Sequence, residues 1–277
     1  MKSILVPTDF SENANTAIEY ACELAKPLGA EVLIINVHTP AVTQYNVISP
    51  LIAEETGRAR KLALEKLASI CELVQNQYKP VICNTQFVVG SVVDAIEQLI
   101  DEGKADLVVM GTRGASGLDK ILFGSNTAHV IEKVKCPVLA IPRDCPYQIP
   151  KRIVYATDFN IEELDHIETL VTFSKAFNAE LMITHITTDE GALESEVMLK
   201  RNFAKRVSEL TDYSSITYFV KYEENINRAL DSFTTQVHAD WIAMYTRERK
   251  MFEKLYNPSL TKAMAYQTKI PLLAIKG

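Results

Sequence analysis

Four residues carry the clearest chemical signal in this chain. Gly111, Gly114, Gly124 and Ser125 form the pattern G-x2-G-x9-G-S. Glycine has no Cβ, so the backbone there can approach a ligand closely and adopt a positive φ. A helix opening at Ser125 offers unpaired N–H groups and the positive end of a dipole. Loop amides beside a helix start make an anion site suited to phosphate. Thr112 and Ser116 could add hydroxyls, and Arg113 and Lys120 could add charge. Plainer roles stand beside each reading. The glycines could serve only a tight turn, Ser125 only a helix cap, and Arg113 only a solvated surface.

Other chemistries find little support. There is no GxxxxGK[ST], no HExxH and no GxSxG. No general base stands out in the glycine loop, so hydrolysis, if any, is expected to be slow. His38 and His129 have no partner at metal-ligand spacing. Cys22, Cys71, Cys83, Cys136 and Cys145 are odd in number and contain no CxxC, which suggests reduced thiols in a cytoplasmic protein. The net charge of −6 provides no chain-wide basic field for nucleic acid. The opening apolar run is too short for a signal peptide, and no run is long enough for a membrane helix.

The elements that would position the glycines alternate in type. Strands are expected at Ser3–Pro7, Glu31–Val37, Val81–Val88, Asp106–Met110 and Pro137–Ile141. Helices are expected at Ser11–Leu28, 55–77, Ser91–Gly103 and Ser125–Lys135. The second helix reads as a stripe of Leu62, Leu67, Ile70 and Leu73. A β-α-β alternation requires a parallel sheet covered on both faces. Such doubly wound sheets bind ligands at strand carboxyl ends, where Asp9, Val37 and Gly111 fall. Asp9 could instead cap the first helix.

The segment Val108-Val109-Met110-Gly111-Thr112-Arg113-Gly114 through Gly124-Ser125-Asn126-Thr127, ending in Cys136-Pro137-Val138-Leu139-Ala140-Ile141-Pro142, resembles the universal stress protein family. Val6-Pro7-Thr8-Asp9-Phe10-Ser11 is similar to that family's first strand and turn. The resemblance implies an adenine nucleotide alpha hydrolase-like, Rossmann-like fold that binds ATP, ADP or AMP. It implies that Asp9 touches the adenosine and that the Val37 backbone bonds adenine. Gly111, Gly114, Gly124 and Ser125 would hold ribose and phosphates, with Asn126 and Thr127 adding backbone or hydroxyl bonds. Mg2+ on the phosphates is compatible with this, although no protein ligand for it is evident.

The 277 residues allow two domains, and the chain repeats itself. Ile4-Leu5-Val6-Pro7-Thr8-Asp9-Phe10 returns as Ile153-Val154-Tyr155-Ala156-Thr157-Asp158-Phe159, an offset of 149. Residues 110–142 align with 244–276 at offset 134, with identities at Met110, Thr112, Arg113, Lys120, Ser125, Thr127, Pro137, Leu139, Ala140 and Ile141. The change of offset places about 15 extra residues in the first half, within a loop from Thr39 to Gly57 that could cover a pocket or a partner surface. We expect an N-terminal domain over 1–143, a proline-rich linker over 144–150 and a C-terminal domain over 151–277, each with a five-stranded parallel sheet.

In the second half Tyr245, Glu248 and Pro258 replace the three glycines, so that half should keep the fold without the nucleotide chemistry. The resemblance suggests that the two halves pair through their last strands as an intramolecular pseudo-dimer, with a further homodimer and an unidentified protein partner left open. The expected function is a stress-response or regulatory protein that binds an adenine nucleotide in its first half. The alternatives are a nucleotide-independent protein–protein scaffold and an adenylate-forming or pyrophosphatase-type enzyme. The latter would need an SGGxDS-like segment, whereas Pro7-Thr8-Asp9-Phe10-Ser11 stands there.

Overall fold

The computed structural model describes residues 1–40, 50–112, 125–143, 145–246 and 269–276. The chain divides into two compact units, Met1–Tyr147 and Gln148–Gly277. In the first, β1 (Ser3–Pro7), α1 (Glu12–Leu28), β2 (Glu31–His38), α2 (Pro50–Gln77), β3 (Cys83–Val89), α3 (Val92–Asp101), β4 (Leu107–Gly111), α4 (Ser125–Lys133) and β5 (Val138–Ile141) follow one another. The strands lie in the order β3-β2-β1-β4-β5, and every pairing among them is parallel. The sheet is apolar because it is covered on both faces. Val108, Val109 and Leu139 are fully buried, as are Ile4, Leu5 and Val6 of β1.

Helix α1 shows why these residues form this element. Ala14, Ala17, Ile18, Ala21, Leu24 and Ala25 recur at helical spacing and are all buried. Ser11 caps its start by accepting from Ala14 N–H at 3.3 Å, and Gly29 closes its end at φ +61. Helix α2 begins earlier than the sequence suggests. The loop expected through Gly57 is helical from Pro50, since proline is tolerated in a first turn where its missing N–H has no helical partner. Its inward stripe is Ala63, Leu67, Ile70 and Val74, while Leu62 and Leu73 are exposed. Leu62 stands about 100° round the helix from Ala63, outside the stripe that Leu67 defines.

The second unit repeats the plan. It contains β6 (Arg152–Ala156), a 3-10 turn (Ile161–His166) leading into α5 (Ile167–Phe177), β7 (Glu180–Thr187), a short 3-10 turn and α6 (Leu193–Leu210), β8 (Ile216–Tyr222), α7 (Ile226–Gln236), β9 (Trp241–Thr246) and β10 (Leu272–Lys276). Its strands run β10-β9-β6-β7-β8, again all parallel. Trp241 packs edge-on against Phe173 and Phe177 of α5.

One clamp recurs at the start of the first strand of each unit. The Asp106 carboxylate accepts from the backbone N–H groups of Lys2 and Ser3, just before and at the start of β1. Asp240 does the same for Lys151 and Arg152, just before and at the start of β6, at 2.7 and 2.9 Å.

Candidate functional site

Strand order in the first unit reverses between β1 and β4, because the chain builds outward from β1 to β3 and then crosses back to β4 and β5. The crevice outside the carboxyl ends of β1 and β4 is therefore the switch point, where open α/β sheets take ligands. The chain leaves β1 abruptly. Phe10 sits in the left-handed region at φ 64, its N–H donating to Thr8 Oγ1 at 3.0 Å. Asp9 is exposed, and its Oδ1 accepts from Ser11 N–H at 3.0 Å. Ser11, not Asp9, is the helix cap.

This departure leaves a rim beside β2. Thr8 N–H donates to Ile35 O at 2.8 Å, the last backbone bond between β1 and β2 among the described residues. Backbone groups alternate sides along a strand, so Val37 presents its N–H and C=O on the same side as Ile35, beyond the point where β1 turns away. The Thr8 carbonyl that would continue the ladder accepts instead from the Asn36 side-chain amide at 2.8 Å. Val37 thus offers one donor and one acceptor in line, the pattern that pairs with the edge of a flat heterocycle.

On the other side of the crevice, Thr127 Oγ1 donates to Gly111 O at 2.8 Å. This bond fixes the first turn of α4 against the end of β4. It also commits the buried Thr127 hydroxyl proton to the fold. Ser125 and Asn126, the first residues of the helix, are exposed. Thr112 is buried, and its N–H continues the sheet by donating to Ile141 O at 2.9 Å, so its hydroxyl is no part of an open loop.

Gly111 has a reason of its own to be glycine. A Cβ there would lie 2.5 Å from Asn13 Nδ2 and 2.8 Å from the Asn13 backbone oxygen. The close approach that demands glycine here is made by Asn13 of α1. Gly114 and Gly124 lie outside the described residues, as do Arg113, Ser116 and Lys120.

The second unit keeps the turn and surrounds it with different side chains. Phe159 is left-handed at φ 54, and its N–H donates to Thr157 Oγ1 at 2.8 Å. Where Asn36 bonds the Thr8 carbonyl, His185 Nδ1 meets the Thr157 carbonyl at 2.7 Å. A carbonyl only accepts, so Nδ1 carries the proton. Nε2 lies 3.4 Å from the Glu196 carboxylate, and Asp158 stands 4.0 Å from Nδ1.

Tyr245, at the position of Gly111, stacks on His166 with ring centroids 4.8 Å apart. Burial pushes the His166 imidazole down, against the raising influence of Asp165. Glu163 occupies the position of Ala14 and is buried. Its Oε2 accepts from Tyr155 OH at 2.8 Å, and burial pushes its carboxyl above the usual range. Glu248 and Pro258 lie outside the described residues.

Asn13, Asn36, His166, His185 and Glu163 did not stand out in the sequence. Two signals were available there, because the offset of 149 pairs Asn36 with His185 and Ala14 with Glu163. Among the described residues no group of three or more His, Cys, Asp or Glu converges as metal ligands. Nor is any described helix long and apolar enough to cross a membrane.

The sequence model of the universal stress protein family matches residues 1–142. A universal stress protein of Methanocaldococcus jannaschii is 34% identical over 149 residues, 51% of this chain and 82% of its own length. Another, from Synechocystis sp., is 30% identical over 149 residues, covering 50% of this chain and 96% of its own. In fold, the crystal structure of a universal stress protein from Archaeoglobus fulgidus covers 99% of this chain and 96% of its own, with a TM-score of 0.73 at 22% identity. The glycine pattern, the parallel sheet and these matches agree: the chain belongs to the universal stress protein family.

Proposed function

We propose that the first unit binds an adenine nucleotide (ATP, ADP or AMP) and that the chain serves as a nucleotide-responsive stress or regulatory protein, its second unit structural. The observation that carries this is the Thr127–Gly111 bond, which holds the opening of α4 at the end of β4, across the switch point from the Val37 rim. Phosphates would lie on the N–H groups of Ser125, Asn126 and Thr127, with Gly114 and Gly124 leaving the backbone bare. Adenine would pair with the Val37 N–H and C=O, and Asp9 would take the ribose. Positive helix ends favour anions by roughly 0.3–1 kcal/mol each, and several amides acting together add to that.

Titration calorimetry with ATP and with AMP tests the reading. Binding of one nucleotide per chain is expected. A folded protein that takes up no heat at millimolar nucleotide rejects it. At a hundredfold excess over Kd the nucleotide should stabilise the protein by about 2.7 kcal/mol. Gly114→Glu should remove that stabilisation, because a carboxylate in the loop repels phosphate.

A further inference from the structure

All five cysteines are free thiols, but two of them are not alone. Cys71 lies near the end of α2, and Cys83 opens β3, twelve positions later, where the chain has reversed from helix to strand. Cys71 Sγ donates to the carbonyl oxygen of Cys83 itself at 3.1 Å, which brings the Cys71 sulfur against the Cys83 residue, while the Cys83 thiol is turned toward the Asn84 carbonyl at 4.0 Å. Gln75 Nε2 donates to Cys71 Sγ at 3.6 Å from the next turn of the helix. Cys71 is half-buried and reachable from solvent, whereas Cys83 is buried. We propose that Cys71 and Cys83 form an oxidation site, at which a hydroperoxide converts the thiol pair into an intramolecular disulfide that fastens α2 to β3.

The chemistry closes without another participant. The Cys71 thiolate attacks the peroxide oxygen, the O–O bond breaks, and the departing oxygen takes the proton that Cys71 gave up, leaving as water or alcohol. Cys71 is then a sulfenic acid. Cys83 sulfur attacks the Cys71 sulfur, the S–S bond forms, and the sulfenic oxygen leaves as water with the Cys83 proton. The pair loses two electrons and the peroxide gains them. Cys71, which peroxide can reach, takes the first step, and the buried Cys83, whose thiol burial pushes up, takes the second. Closing so short a loop raises stability by restricting the unfolded chain, so the oxidised protein should melt several degrees higher.

The test is peroxide treatment of the full-length protein, followed by alkylation of remaining thiols and peptide mapping. Expected are a peptide pair joined through Cys71 and Cys83, a whole-protein mass lower by two hydrogens and a higher Tm that dithiothreitol reverses. Cys71→Ser should abolish the mass loss and the Tm rise while melting like the reduced protein. Cys83→Ser should leave Cys71 as a sulfenic acid that dimedone traps. The proposal is overturned if Cys71 is carried on to sulfinic acid beside an intact Cys83 thiol. It is equally overturned if Cys83 is found joined to Cys22, or if Cys71 links two chains.

Discussion

Gly111 separates two demands that a glycine can meet at once. Its missing Cβ admits Asn13 of α1, a contact required whether or not a ligand is present. Gly111→Ala should therefore destabilise the protein by about 1–3 kcal/mol in nucleotide-free buffer, seen as a lower midpoint in urea. The spacing of the glycines was legible in the sequence, but the neighbour that Gly111 accommodates was not, because Asn13 meets it only through tertiary packing.

Glu163 was also hidden, a carboxylate in what reads as an ordinary helix start. Its native pKa is raised by burial, so the folded state keeps its proton at pH values where the unfolded chain has lost it. The associated stability is present below the ordinary carboxyl pKa and is lost as pH rises through the native one. Glu163→Gln, which stays neutral, should flatten the fall in stability from about pH 4 upward, measured by denaturant titration at a series of pH values.

At the scale of elements, the pattern of apolar runs sufficed for strands and helices, with most boundaries displaced by one or two residues. The larger difference is α2. Four candidate stripe residues were readable, but two of them face solvent, since a helix rich in leucine offers more than one plausible face until the sheet selects one. The Ala105-Asp106 and Ala239-Asp240 pairs, visible as repeats, turn out to lie just before the fourth strand of each unit, where the aspartate clamps the first. Asp106→Ala would leave two strand-end N–H groups without their carboxylate. It should cost about 1–3 kcal/mol, measured by the urea midpoint, and hydrogen exchange at the start of β1 should speed up.

For the whole molecule, duplication was plain from the offsets, and the family's sequence pattern covers the half that retains the glycines. What the sequence could not show is how the other half rearranged the side chains around its corner. Substituted glycines announce a loss, but only packing reveals Tyr245 lying on His166 and Glu163 beneath Tyr155. Tyr245→Ala removes that stacked pair and should lower Tm by several degrees, without producing a second nucleotide site in calorimetry, because the buried carboxylate stays in place. A stoichiometry that remains one per chain in this variant is the expected result.

The left-handed phenylalanine after the first strand has a bearing on how such proteins are recognised. Phe10 and Phe159 both adopt left-handed backbone, and a threonine hydroxyl two residues earlier secures each. One follows Thr8, whose carbonyl accepts from Asn36, and the other follows Thr157, whose carbonyl meets His185. The Thr-Asp-Phe triplet is thus an architectural signature of the corner, and a search keyed to it would retrieve units of both kinds whatever either one binds.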